Sequence, residues 1–310
     1  MSFENIIGND KIKQELEENI RNNTVSHSYL FIGQDGIGKK LFAKEFAKME
    51  LCLDDNNACD KCSSCIKFNS DNNPDFVIIK PDGNSIKISQ IRDMQDNVYK
   101  KPIVSNKKVF IIDDSDKMTE EAQNSLLKTL EEPPEYITII LITSNENKLL
   151  NTIRSRCLKI NFNNITTKEI IDYISREQIM SEPSDSLLSM CNGSIGKLIK
   201  INQNLLEYNE IEKNTNDLIN GRILNVVKML NNFEILYKSK DFVLDLLDYM
   251  IVIIYEYINK NKDYRGKFLD LISIIENTKL KLMSNTNYDM CIDDLLLKIW
   301  EEINENYSRS

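Results

Sequence analysis

The chain has 310 residues, more than one typical domain, and its 41% apolar side chains are ample for packed cores, so two or three domains are expected and wholesale disorder is excluded. With 48 acidic against 39 basic side chains the formal net charge is -9, which argues against a protein that grips nucleic acid alone through its phosphates and favours protein partners. No stretch has the length of an uncharged membrane span, and Met1-Ser2-Phe3-Glu4-Asn5 has neither the basic head nor the apolar core of a signal peptide. A cytoplasmic location without membrane contact is therefore expected, where clustered cysteines read as metal ligands before disulfides.

In chain order, the segment from Asp10 to Asn22 places Ile12, Leu16 and Ile20 on one helical face. The apolar run Tyr29-Leu30-Phe31-Ile32 then breaks into Gly33-Gln34-Asp35-Gly36-Ile37-Gly38-Lys39-Lys40, which predicts a strand, a tight turn and a helix start. Read as a pattern it is G-x-x-x-x-G-K with Lys40 where Ser or Thr belongs. Gly33, Gly36 and Gly38 let backbone N–H groups close around a phosphate, the helix end adds its positive pole, and Lys39 is expected near the outer phosphates. The hydroxyl that ligates magnesium is missing, so the loop suits phosphate and poorly suits hydrolysis. His27 has no acid or nucleophile beside it in sequence and reads as structural.

After an apolar helix ending near Leu51 come Cys52, Cys59, Cys62 and Cys65, a C-x6-C-x2-C-x2-C spacing. Four thiolates complete the tetrahedral shell of a structural zinc ion and leave no position open for substrate. An iron–sulfur cluster is the competing reading and would need a redox partner site that the rest of the sequence does not supply.

Asn73-Pro74-Asp75 predicts a turn before a strand over Phe76 to Ile79, and Ile88 opens a helix that ends before Pro102. Val109-Phe110-Ile111-Ile112 runs into Asp113 and Asp114, the pattern of a buried parallel strand ending in acids. Asp113 suits a magnesium ligand, and the alternative is that both acids cap the loop before Thr119. Thr119 is an expected N-cap with Glu120 and Glu121 in the first turn; Pro133-Pro134 ends that helix, and Ile137 to Thr143 reads as a core strand. A short helix from Lys148 to Ile153, then Arg154-Ser155-Arg156-Cys157 and a strand over Leu158 to Phe162 follow. Alternating strands and helices imply a three-layer α/β domain with a largely parallel sheet, whose carboxyl edge would bring phosphate loop and acids together. Beyond Thr166 the signals are helical only, with Pro183-Ser184-Asp185 as a cap, Gly193 to Leu198 as a helix start, and apolar helical spacing over Phe242 to Ile258, Phe268 to Ile275 and Ile292 to Ile303.

Taken together, Ser26-His27-Ser28-Tyr29-Leu30-Phe31, the phosphate loop, the four cysteines, Asn73-Pro74-Asp75, the run Asn124 to Pro134 and Ser155-Arg156-Cys157 resemble the delta-prime family of bacterial clamp-loader subunits, in the AAA+ superfamily. The motifs cover residues 1 to about 200, and the last hundred match in length and helical character only. The resemblance implies an AAA+ P-loop core over 1–164 with a zinc module at 50–70, a three-helix lid over 165–205 and a helical collar over 206–310. It implies partners, namely the gamma/tau and delta subunits in a pentameric ring, with the sliding clamp and primed DNA met mainly through the complex. It also implies that Arg156 projects into a neighbour's ATP site; the plainer reading of Arg156 is a cation at a helix C-terminus. Three departures weaken hydrolysis in this chain: Lys40, Asp114 in place of a glutamate, and Gly196 where the gamma/tau relatives carry an arginine that reads nucleotide. A non-hydrolysing subunit is expected, weak ATP binding through the loop amides and Lys39 stays open, and the alternative is an active gamma/tau-type ATPase.

Overall fold

The computed structural model describes residues 3, 6–54, 58–180, 182–223, 225–261, 265–284 and 286–307. Residues 55–57 of the expected zinc module and most of the first five residues lie outside these. The chain divides into two compact units: Met1–Glu177 with Gly193–Lys197, and Gln178–Asn192 with Leu198–Ser310.

The first unit is an α/β domain around a five-stranded parallel sheet. In chain order its elements are α1 (Asp10–Arg21), β1 (Ser28–Ile32), α2 (Lys39–Glu50), α3 (Ser63–Asn69), β2 (Phe76–Ile79), α4 (Ile88–Val98), β3 (Lys108–Ile112), α5 (Glu120–Glu131), β4 (Ile137–Thr143), α6 (Asn151–Arg154), β5 (Leu158–Asn161) and α7 (Thr167–Glu177). The strand order is β2-β3-β4-β1-β5, with Tyr29 of β1 in register with Ile140 on one side and Leu158 on the other. Buried residues run unbroken through β3 and β4 because both faces are covered: Tyr29, Phe31, Val109, Ile111, Ile140 and Ile142 pack with α1 and α2, whereas Leu30, Phe110, Ile112, Ile139 and Leu141 pack with α4, α5 and α6. The expected three layers follow from that alternation.

Two helix starts of this unit are set by short polar side chains. Thr119 Oγ1 accepts from Ala122 N at 3.3 Å, as its sequence position predicts. Thr166 and Glu169 form a reciprocal capping pair before α7, with Glu169 Oε2 accepting from Thr166 N at 2.8 Å and Thr166 Oγ1 from Glu169 N at 3.3 Å.

At the edge of the sheet, the buried Asp75 carboxylate accepts from the backbone N–H groups of Ile103, Val104 and Ser105 at 2.8, 2.7 and 2.7 Å. Its neighbour Asn73 donates to Ser64 O and Oγ, and Ser64 Oγ lies 2.8 Å from Ser105 Oγ. The Asn-Pro-Asp turn thus joins α3, the 103–105 loop and the start of β2 in one hydrogen-bonded knot.

The second unit is helical: α8 (Asp185–Cys191), the 198–203 part of α9 (Ile195–Gln203), α10 (Leu205–Ile219), α11 (Val226–Asn232), α12 (Ile235–Lys238), α13 (Val243–Lys260), α14 (Arg265–Met283) and α15 (Tyr288–Tyr307). α13 is apolar over most of its circumference because it packs against α8, α10 and α14 together. Tyr249 and Tyr208 stack with ring centroids 5.2 Å apart, and Tyr249 keeps its hydroxyl satisfied on Glu212. Among the described residues no helix is long and apolar enough to cross a membrane.

Candidate phosphate loop, cysteine cluster and surface arginine

The phosphate loop leaves β1 and enters α2 as the glycine pattern requires. Gly36 and Gly38 hold φ of 77° and 97°, and Gly38 is the N-cap of α2. The lysine does not point outward. Lys39 Nζ donates to Gly33 O at 2.6 Å and Gln34 O at 2.8 Å and is 6% exposed. Burial pulls its ammonium below the ordinary lysine range, against the opposing pull of Asp35, Asp114, Asp113 and Asp116. Lys40 Nζ lies 2.7 Å from Asp113 Oδ2, so an ammonium stands on the acid that sequence assigned to magnesium.

The other acids of that strand end are engaged as well. Asp114 pairs with Lys117 at 2.8 Å, and Asp116 accepts from Thr143 Oγ1 at 3.0 Å. The set does not fit a magnesium ion, because a fixed positive charge already meets Asp113 and no hydroxyl stands at position 40 to complete a ligand shell. In the loop before Thr119, Asp114 is the N-cap residue of a 3-10 turn over Ser115–Lys117 without a side-chain cap hydrogen bond, and Thr119 caps α5.

The segment after α8 closes the loop from above. Gly196 N donates to Gly36 O at 2.8 Å, and Ser194 Oγ donates to Asp35 O at 2.9 Å. A Cβ on Gly196 would lie 2.7 Å from Gly36 Cα, and one on Gly36 would lie 2.3 Å from Ser194 Oγ. A side chain at position 196, such as the arginine the resemblance led one to expect, is therefore incompatible with this backbone-to-backbone approach. Sequence reading noted Gly196 as a lost arginine and missed Ser194 as a loop ligand. The available signal was the small-residue spacing Gly193-Ser194-Ile195-Gly196, which suits close approach of another backbone.

The four cysteines meet. The Sγ atoms of Cys52, Cys59, Cys62 and Cys65 all lie within 4.8 Å of one another, against an edge of about 3.8 Å for a tetrahedron with zinc–sulfur distances of about 2.3 Å. Their order is set by the turn: Cys59 N donates to Cys52 Sγ at 3.5 Å, Cys62 N to Cys59 Sγ at 3.3 Å, and Cys65 N to Cys62 Sγ at 3.4 Å, which also caps α3. Burial opposes ionisation of Cys62, yet hydrogen bonds from the Leu53 and Cys65 N–H groups and from neighbouring thiols bring it down to about 6. Cys65 is pushed up, chiefly by burial. A soft, closed S4 set whose sulfurs already accept N–H hydrogen bonds fits zinc and leaves no open position for chemistry.

Arg156 lies beyond α6, and its side chain is 34% exposed. Arg156 Nη1 donates to Thr152 O at 2.9 Å and Nη2 to Glu131 Oε1 at 2.6 Å. Behind it, Ser28 Oγ donates to Arg156 O at 2.7 Å and Cys157 is buried, so the backbone is fixed to β1 while the guanidinium faces outward. The structure does not bring Arg156 to the phosphate loop or to the cysteines; the three features are separate.

Comparison with known proteins follows the same residues. The family described as "DNA polymerase III, delta subunit" matches residues 8–166, which include the loop, the cysteines and Arg156. The chain is 30% identical over 290 residues to DNA polymerase III subunit delta' of Bacillus subtilis, covering 93% of this chain and 82% of that one. It is 28% identical to DNA polymerase III subunit gamma/tau of Mycoplasma genitalium over all of its own length, which spans 55% of that relative. Among solved structures it is similar to a gamma-subunit-related protein of Thermotoga maritima at 19% identity and a TM-score of 0.48, covering 93% of this chain and 99% of that one. A matched family over half of the sequence and a relative matched nearly end to end agree with the motifs read along the chain, which belongs to the delta-prime family of DNA polymerase III clamp-loader subunits.

Proposed function

We propose that this chain is the non-hydrolysing member of a clamp-loader ring, built from an AAA+ core over 1–164, a lid over 165–205 and a collar over 206–310. It completes the ring with gamma/tau and delta subunits and supplies Arg156 to a neighbour's ATP, so that ATP use there opens the sliding clamp and loads it onto primed DNA. The observation that carries the non-hydrolysing part is the 2.7 Å pair between Lys40 and Asp113, an internal cation where a hydrolysing site needs a metal. Gly33, Gly36, Gly38 and Lys39 are then remnants of a phosphate cradle turned to internal hydrogen bonding.

Support for the trans role of Arg156 is its rooted backbone and outward guanidinium. An arginine supplied across an interface acts mainly on charge that develops in the transition state, and raises phosphoryl transfer by about 10³ to 10⁵ fold. Cys52, Cys59, Cys62 and Cys65 hold one structural zinc in this reading.

A second reading, an active gamma/tau-type ATPase, is favoured by the likeness of this whole chain to 55% of the Mycoplasma genitalium relative. One reconstitution separates the two. Mixed with cognate gamma/tau and delta subunits, the chain should enter a complex of defined mass whose clamp-stimulated ATP turnover falls with Arg156→Ala. Turnover by the isolated chain, abolished by Lys39→Ala, would establish the second reading instead.

A further inference from the structure

Glu131 and Glu132 stand at the end of α5, where the helix dipole is negative and acids are unfavourable. Among the described residues nothing in the phosphate loop or the cysteine cluster uses them. Glu131, however, meets Arg156 at 2.6 Å, across 25 positions of sequence. Together with the helix's negative end, its carboxylate makes a local well for a cation.

The contact matters because of what it leaves free. A guanidinium has five N–H donors. Thr152 O takes one on Nη1 and Glu131 Oε1 takes one on Nη2, so among the described residues Nε–H and one N–H on each terminal nitrogen remain for an incoming anion. The main chain is already held, through Arg156 N to Ile153 O at 3.0 Å and Ser28 Oγ to Arg156 O at 2.7 Å. Without Glu131 the only remaining tether on the long side chain among the described residues would be the Thr152 carbonyl, about which the guanidinium can swing.

We propose that Glu131 is the positioning residue for Arg156: it holds the guanidinium in one orientation before a neighbour's phosphates arrive. The proposal rests on the trans-acting role of Arg156 given above. Glu131 itself touches no phosphate. Its contribution is orientation, and displacement of a catalytic group by about 1 Å can cost about 10²-fold in rate.

The test uses the reconstituted complex with clamp and primed DNA, reading kcat and KM for ATP separately. Glu131→Ala should lower kcat about three- to tenfold and leave KM within about twofold, the pattern of an interaction realised in the transition state. Glu131→Gln, whose amide oxygen can accept the same N–H, should retain at least about half of the wild-type kcat. In an Arg156→Ala background, Glu131→Ala should change nothing further. If Arg156→Ala is slow but Glu131→Ala turns over like wild type, the positioning role is wrong and the trans arginine stands. An equal loss from Glu131→Ala in both backgrounds, or a Gln variant as slow as Ala, also overturns it. Wild-type turnover in Arg156→Ala would instead remove the trans reading on which this one depends.

Discussion

Glu50, the last residue of α2, is buried with Oε1 accepting from Thr138 Oγ1 at 2.6 Å and Oε2 without a hydrogen-bond partner among the described residues. Burial pushes its carboxyl up to about 7 from an ordinary value of 4.5, with the Thr138 hydrogen bond and Lys107 opposing. Because the folded value lies above the unfolded one, the folded state keeps a proton that the unfolded state has lost. Stability is therefore undiminished below pH 4.5 and is lost progressively as pH rises to about 7. Raising the value from 4.5 to about 7 corresponds to about 3 kcal/mol as an upper figure at 1.36 kcal/mol per pKa unit. Glu50→Gln keeps the acceptor for Thr138 and cannot ionise. Denaturant unfolding of both proteins should show a gain for the variant of about a quarter of that figure at pH 5, approaching the full figure at pH 8. Taking the difference between two proteins prepared with equal zinc content cancels the pH dependence of any metal held by the four cysteines. A variant advantage that is the same at both pH values would refute the account of a buried carboxylate forced to ionise.

Protein purified without chelator should contain one zinc per chain, and Cys62→Ser should lose it; metal analysis near zero for the wild type, or unchanged in the variant, would defeat the cluster's assignment. The isolated chain should hydrolyse ATP negligibly, and Lys40→Thr alone should not restore turnover, since Lys39 still lies on the Gly33 and Gln34 carbonyls and Gly196 on Gly36; robust single-variant turnover would contradict this. Gly196→Arg should destabilise the first unit by about 1–3 kcal/mol in denaturant titration, because any side chain there must displace the Gly36 backbone. A variant as stable as wild type would mean that the close approach is easily relieved.

Much of the fold was legible because the sheet is buried on both faces. Phe76 to Ile79, continuously apolar, and Ile137 to Thr143, apolar but for Thr138 and Thr143, read as strands and form over those spans. Lys148 to Ile153 read as one helix and does not form one. Gln123 Oε1 accepts from Leu150 N at 2.8 Å, and Leu149 and Leu150 stay extended between a 3-10 turn at Glu146–Lys148 and α6. A hydrogen bond across 27 residues has no local signature. The same holds for the loop: glycines and Lys39 announced a phosphate site, but its occupation by Lys39, Ser194 and Gly196 depends on contacts from distant segments. The cysteine spacing was the opposite case, because a tight turn supplies its own geometry.

The Asn73-Asp75 knot couples two parts that sequence reading treats as separate, a metal-organised turn and the first strand of a sheet. α3 carries Cys65 and also Ser64, and Ser64 reaches Asn73 and Ser105. The amides of Ile103, Val104 and Ser105, held on one carboxylate, should therefore exchange with solvent as a group with α3. Removing the metal should raise exchange in that loop and along β2, while β1 and β4 at the centre of the sheet keep their protection. The zinc turn would then act as an edge clasp of the domain, governing how readily its outermost strand opens.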